Sequence, residues 1–385
     1  MEAPKRFFDQ VGIFWQRVTE GIEIQALWAQ FTAEARSSYS LYTREVDWDG
    51  VKTETPPRRF FKVARSLFWA MLMKLSPARR VFLLLALVFT LLALTAFQIE
   101  AGNGNTQLRT PQNFTFVLLS SGALIFLLAL ELADRVTMKR DLEIAREIQH
   151  WLVPEKPPQV PGADIAFTSR PANTVGGDYY DAFLLNGDDA AGSPKRLMMV
   201  VADVAGKSVP AALLMATFQA SLRSLTTSSI ALGDLVAGMN RYACAHSLGG
   251  RRYTTALFAE FVLESRVLHY ISAGHNPPFI HRASGKLERL EVSNLPLGIS
   301  ASCEYASGES TLAPGDRLLL YTDGLIESMN SAEEEYGEQK MLDALRAIPA
   351  ESAQKTLDAL VASVDAFAGG ARQHDDLTCL ILHVN

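Results

Sequence analysis

Two long runs without a charged residue constrain this chain more than any other feature. Residues 81–99 (VFLLLALVFTLLALTAFQI) form one, and residues 110–130, apolar from Phe114 on, form the other. Crossing a bilayer as a helix takes about 20 apolar residues. A surface helix of a globular protein keeps a polar stripe toward water, and neither run has one. Both are read as transmembrane helices, at 81–99 and 112–130. The first lies far from residue 1, so it does not read as a signal peptide. Flanking charge sets the orientation, because Lys and Arg collect on the cytoplasmic side. Within residues 51–80, Lys52, Arg58, Arg59, Lys62, Arg65, Lys74, Arg79 and Arg80 face a single acid, Glu54. Arg135, Lys139 and Arg140 follow the second run, whereas the loop between the runs carries Glu100 and Arg109. A two-helix plasma-membrane protein with both termini in the cytoplasm is expected.

Residues 1–80 carry less information. Phe7, Val11, Trp15, Val18 and Ile22 recur at helical spacing. Residues 58–75 mix basic side chains with Phe60, Phe61, Leu67, Phe68, Trp69, Met71 and Leu72. That composition suits a helix in the membrane interface, or equally a small helical module packing on itself. After the second run, residues 131–156 form a connector whose helix extends to Leu152. Leu132, Val136, Leu142, Ile144, Ala145, Ile148 and Leu152 give it an apolar face. A lone helix cannot bury such a face, so a homodimer paired through the connector is expected, with packing on its own domain as the alternative. Pro154, Pro157, Pro158 and Pro161 end the helix and lead into a domain at residues 157–385.

That domain reads as α+β, with short apolar runs separated by turns. Residues 196–202, 255–263, 267–272, 317–322 and 377–383 read as strands, and residues 210–225, 232–247 and 340–346 as helices. Their mixed order favours stacked sheets flanked by helices over strict βαβ alternation. The chain has 36 Lys plus Arg against 42 Asp plus Glu, a formal charge of −6. This argues against a nucleic-acid partner held by bulk charge. Cys244, Cys303 and Cys379 form no CxxC pair, which excludes a disulfide framework and a cysteine zinc site. All three read as core residues.

Aspartates recur at the strand ends. Asp178 and Asp181 lie in GGDYYD, Asp203 ends RLMMVVA, Asp323 ends RLLLYT, and Asp375 and Asp376 precede LTCLILH. One such Asp is usually a turn former. Four strand-end carboxylates beside glycines can converge on two hard cations, and an all-oxygen site suits Mg²⁺ or Mn²⁺ better than zinc.

Six motifs in order, GGDYYD, ADVAGKS, SAGHNPP, LPLGI, GDRLLLYTDGLIE and HDDLT, resemble the SpoIIE-type branch of the PPM (protein phosphatase 2C-like) serine/threonine phosphatases. The resemblance covers residues 141–384. AREIQHWLVPEKPPQVPGADIA resembles the segment entering this domain in regulators of bacterial stress sigma factors. The resemblance implies a PPM-type β-sandwich flanked by helices with a centre of two divalent cations, Mn²⁺ or Mg²⁺. It implies that Asp178 bridges the metals and that Asp203, Asp323 and Asp375 are the further carboxylate ligands. Val204 is expected to offer its backbone carbonyl. Asp181, Lys207, His275, Asn276 and Asp376 are expected behind the ligands or in a substrate loop. Asp376 stands where many eukaryotic relatives have Asn. The implied substrate is a phosphorylated regulatory protein such as an anti-sigma-factor antagonist.

Two departures stand out. The family pattern DVxGKG has Ser208 in its last place, which costs about 1 kcal/mol if the position needs positive φ. No arginine matches the phosphate-gripping one that eukaryotic relatives carry shortly before the first metal carboxylate. Other chemistries fare worse. A P-loop requires glycine where Val201 stands, and no GxSxG elbow accompanies Ser272 and His275. A pseudophosphatase scaffold and a membrane nucleotide cyclase are the rival readings. The first is separated by phosphate release, the second by nucleotide turnover.

Overall fold

The computed structural model describes residues 63–385, apart from 64, 67, 70–71, 102–110, 186–194, 207, 227–229, 247–251 and 292. The expectations for residues 1–62, most of the loop between the apolar runs, and Lys207 lie outside the described residues. The chain divides into two units, Met1–Arg135 and Val136–Asn385.

In the first unit, α1 (Pro77–Ala101) and the start of α2 (Pro111–Leu152) contain the two apolar runs. Both helices are long and apolar enough to cross a membrane. They pack antiparallel through Phe82 on Phe126 and Phe89 on Phe116, with ring centroids 5.2 and 6.3 Å apart. Between these layers the Thr90 and Ser120 hydroxyls meet at 2.6 Å, and Ser120 also donates to the Ala86 carbonyl. Small polar residues that satisfy one another in this way are how apolar helices associate without exposing a backbone group. Arg79 clamps the base of the pair, reaching Glu131 at 3.1 Å and Asp134 at 2.6 Å. α2 runs unbroken for 42 residues to Leu152.

The second unit is a sandwich of two antiparallel five-stranded sheets. Among the described residues ten strands build it: β1 (Ala163–Arg170), β2 (Tyr179–Leu185), β3 (Arg196–Val204), β4 (Thr254–Val262), β5 (Val267–Ala273), β6 (Phe279–His281), β7 (Leu287–Arg289), β8 (Gly308–Thr311), β9 (Arg317–Tyr321) and β10 (Leu377–Val384). The strand orders are β1-β10-β9-β6-β7 and β2-β3-β4-β5-β8. Alternate residues of each sheet fill the space between them, among them Leu197, Met199, Val201, Leu257, Phe261, Leu318, Leu320, Leu380 and Leu382. The opposite faces of β3 and β10 are apolar too, since each sheet carries helices outside. α3 (Val209–Leu225) and α4 (Leu232–His246) cover the second sheet, with Met215, Phe218, Leu222 and Leu235 packed on Met198, Val200 and Phe258. α5 (Asp323–Ile326), α6 (Gly337–Ala347) and α7 (Ala353–Ala368) cover the first. The unit is a four-layer αββα stack. This explains why β3 and β10 read as continuous apolar runs, not alternating ones. The cysteine expectation holds for one of three. Cys379 is buried on β10, whereas Cys244 and Cys303 are half-exposed, because one lies on α4 and the other in the loop before β8.

Candidate metal centre

The sandwich sets four chain segments side by side at one end: the turn before β2, the end of β3, the end of β9 and the start of β10. Asp178 occupies the first and is buried. The Thr322 hydroxyl, just after β9, donates to its Oδ2 at 2.8 Å. Thr322 Oγ1 in turn accepts from the Thr378 backbone N–H at 3.0 Å. Burial, and then the neighbouring carboxylates of Asp203 and Asp376, push the Asp178 carboxyl well above the usual carboxylate range, against the hydrogen bonds of Thr378 and Thr322. Burying like charges together in this way is unfavourable unless a cation offsets them.

Asp376 has a distinct duty. Its carboxylate accepts the backbone N–H groups of Ala172 at 2.7 Å and Gly177 at 2.6 Å. It therefore ties the turn that carries Asp178 to the start of β10. Asp375, one residue earlier, accepts the Asp376 N–H at 2.9 Å. Asp323 opens α5, and the next residue, Gly324, packs directly on the Asp376 backbone. The Val204 carbonyl and Asp203 Oδ1 lie against Gly177. The structure thus groups Asp178, Asp203 and Asp376 electrostatically, with Asp323 and Asp375 on the adjoining backbone. Among the described residues, no three His, Cys, Asp or Glu side chains close around a single point as a metal cage.

The remaining sequence candidates fall into place around this end. Asp181 is fully buried and turned to α3. Arg223 meets both of its oxygens at 2.8 Å, and the Tyr179 hydroxyl donates to it at 2.5 Å. Burial raises its carboxyl, and Tyr179 and Arg223 pull it back. This pair locks β2 to the helix that follows Asp203. His275 is neutral, held down at about 4 by burial despite its bond to the Tyr321 carbonyl. Nε2 must donate to that carbonyl (3.1 Å), so Nδ1 accepts from the Thr255 hydroxyl (2.9 Å). His275 therefore joins β4 of one sheet to β9 of the other. Asn276 Nδ2 is buried and has no hydrogen-bond partner among the described residues.

A cavity of about 630 Å³ opens beside Asp178, lined also by Tyr180, Asp376, Arg146, Gln149 and His150. A second cleft, about 400 Å³, is lined by Asn173, Thr174, Ser208 and Arg372. Sequence motifs alone did not single out Gln149 or Arg372. Gln149 lies within the AREIQHWL segment, whose resemblance assigns no role to any one residue, and Arg372 lies in a polar stretch with no periodicity.

Ser208, the residue in the usual glycine place, has φ 63° and ψ −147° and caps α3 without a side-chain hydrogen bond. That backbone region is close to glycine-only. Ser208→Gly should therefore stabilise the protein by about 1 kcal/mol, read as a rise in melting temperature of roughly 2–4 °C. An unchanged or lower midpoint would show that the turn is unstrained.

Comparison with known proteins supplies the family. The model of the family described as Stage II sporulation protein E (SpoIIE) matches residues 193–385, half of the chain. The phosphoserine phosphatase RsbU of Bacillus subtilis is 29% identical over 249 residues, covering 64% of this chain and 70% of RsbU. Protein IcfG of Synechocystis is 27% identical over 285 residues, 67% of this chain but 44% of IcfG, so the chain spans under half of that relative. Among solved structures, the SiaA-PP2C domain of Pseudomonas aeruginosa superposes with a TM-score of 0.55 at 21% identity, covering 66% of this chain and 99% of that domain. The PP2C phosphatase domain of SpoIIE from Bacillus subtilis, solved with a fragment of its regulatory domain, gives 0.51 at 20% identity, covering 58% of this chain and 62% of that one. The expected PP2C-like two-sheet sandwich is the fold observed.

Proposed function

The chain belongs to the SpoIIE family, and on that footing we propose that it is a membrane-anchored, divalent-metal-dependent protein serine/threonine phosphatase. The observation that carries this reading is the buried Asp178 carboxylate facing two further carboxylates beside an open cavity. Such a cluster fits a hard cation. Mg²⁺ and Mn²⁺ take a few carboxylate oxygens and keep several waters, so a full protein cage is not required. Asp178, Asp203, Asp323 and Asp375, with the Val204 carbonyl, are the groups that would hold two such ions. When bound, the ions supply neutralisation of phosphoryl charge and a lowered water pKa.

The chain's own residues do the positioning. Thr322 and Asp376 fix the Asp178 turn, and His275 holds the Asp203 and Asp323 strand ends in register. Cys379, the thiol buried nearest, is kept from acting as a thiolate, because burial and Asp178 push it above its ordinary range. The substrate we propose is a phosphoserine or phosphothreonine on a regulatory protein of a sigma-factor pathway. The name of the relative RsbU, a phosphoserine phosphatase, supports this. The two long apolar helices and the basic residues flanking them support membrane anchoring with the catalytic domain in the cytoplasm.

One experiment tests activity and topology together. Sealed vesicles carrying the protein are given a charged, membrane-impermeant aryl phosphate with Mn²⁺. Inside-out vesicles should release phosphate and right-side-out vesicles should not, until detergent is added. No release in detergent would favour a pseudophosphatase, and release by right-side-out vesicles alone would reverse the orientation.

A further inference from the structure

The turn that carries Asp178 has little side chain with which to anchor itself. Gly176 and Gly177 precede the aspartate, and a Cβ on Gly176 would lie 2.5 Å from Asp376 Oδ2. The turn must therefore be held through its backbone. Two clamps come from the sandwich, Asp376 on Gly177 and Thr322 on Asp178 itself. A third comes from α2. The Gln149 side chain donates from Nε2 to the Gly176 carbonyl at 2.7 Å and accepts the Gly176 N–H on Oε1 at 3.1 Å. One amide side chain thus satisfies both backbone groups of a single residue, as a neighbouring strand would. Gln149 also lines the cavity onto which Asp178 opens.

We infer that Gln149 is a positioning residue for the metal turn: by clamping Gly176 from α2 it sets the aim of Asp178 and so the affinity of the site for divalent cations. The inference rests on the metal reading above. A glutamine is suited to the task because its amide plane carries a donor and an acceptor on one edge. Asparagine has the same amide but is one methylene shorter, about 1.5 Å, and cannot make both bonds from the same helix position. With the clamp gone, the turn keeps Asp376 and Thr322 but gains freedom on the side facing α2. Ligand groups must be held to within about 0.5 Å to bind a metal well, so cation affinity falls before chemistry does.

The test uses the full-length chain in detergent micelles. Free Mn²⁺ is measured by its paramagnetic resonance signal, and phosphate release from an aryl phosphate is measured as Mn²⁺ is titrated. Gln149→Met, isosteric but unable to hydrogen-bond, should weaken direct Mn²⁺ binding about tenfold, the worth of two modest hydrogen bonds. The Mn²⁺ concentration for half-maximal activity should rise equally. At saturating Mn²⁺, kcat and the substrate KM should return to within about twofold of wild type, because the ligands themselves are intact. Gln149→Asn should behave like Gln149→Met, and serves should the methionine variant not fold. Trp151→Ala, at a residue 77% exposed on the same helix, should leave Mn²⁺ binding unchanged. Unaltered Mn²⁺ affinity in both Gln149 variants would overturn the inference, as would a loss of kcat that saturating metal does not restore. A wild-type protein that takes up no Mn²⁺ would instead overturn the metal reading itself.

Discussion

Asp203→Asn should lower Mn²⁺-dependent phosphate release by at least ~100-fold, since even outer-shell changes at metal sites cost 10–100-fold. The same variant should fold. Asp203 lies on β3, whose apolar residues are packed on both faces, and Asn preserves its shape. The metal-free variant should in fact be no less stable than the metal-free parent. In the parent the Asp178 carboxyl is raised by burial first and by Asp203 next. A carboxyl whose folded pKa lies above its unfolded value binds more protons in the native state. Stability then falls as pH rises from the unfolded pKa through the folded one. Removing the Asp203 charge relaxes part of that penalty. Two melting curves check the argument. Mn²⁺ should raise the midpoint of the parent, as any ligand of the native state does, and leave Asp203→Asn nearly unmoved. Turnover near the parent's at saturating Mn²⁺ would remove Asp203 from the centre.

Gly324→Ala should be the most damaging small change in the domain. A Cβ there would lie 2.1 Å from the Asp376 carbonyl oxygen and 2.8 Å from its carbon, both backbone atoms. Neither can swing aside as a flexible side chain would. Either α5 or the start of β10 must move, and these segments carry Asp323 on one side and Asp375 on the other. A cost of about 3 kcal/mol is expected from overpacking of this kind, together with loss of Mn²⁺ binding. Gly233→Ala is the matched control. It sits in the first turn of α4 with nothing within 4 Å of its Cβ, so it should be neutral or slightly stabilising. If Gly324→Ala melted with the parent, the tight approach of α5 to β10 would not be needed for the fold.

Much of the candidate site is legible because its carboxylates coincide with strong local signals. Asp203, Asp323 and Asp375 each adjoin an apolar strand that needs no tertiary knowledge to recognise, and the strands appear at 196–204, 317–321 and 377–384. Other elements were missed for separate reasons. β6 and β7 are three residues each, too short for any periodicity to register. α7 was overlooked although its signals are ordinary. Ser352 caps it by accepting the Lys355 N–H, Leu357, Leu360 and Val364 share one buried face, and left-handed Gly369 ends it. The resemblance places Asp376 only behind the ligands or in a substrate loop, and its particular duty of tying the Asp178 turn is not legible in the sequence. Its two amide partners lie 204 and 199 residues away, and no local pattern distinguishes a carboxylate that holds a turn from one that holds an ion. Gln149 is hidden for the same reason.

The order of strands has a consequence for how this protein is made. β10 follows every other strand in the chain, yet it lies between β1 and β9 in the first sheet. β2, β3, β4 and β5 are consecutive, and they can pair as each leaves the ribosome. β1 emerges before them and has no strand to pair with until some 200 residues later, when β10 appears. From the end of β5 at Ala273 to the start of β10 at Leu377, about 100 residues of synthesis, the nascent chain is therefore half a sandwich, with β2–β5 paired and the inner apolar face of that sheet uncovered. The helices at its start have by then already been made. Chaperone demand, and degradation of incomplete chains, should concentrate on this interval. β10 ends it by pairing with β1 and β9, and in the same step it brings Asp375 and Asp376 to the site.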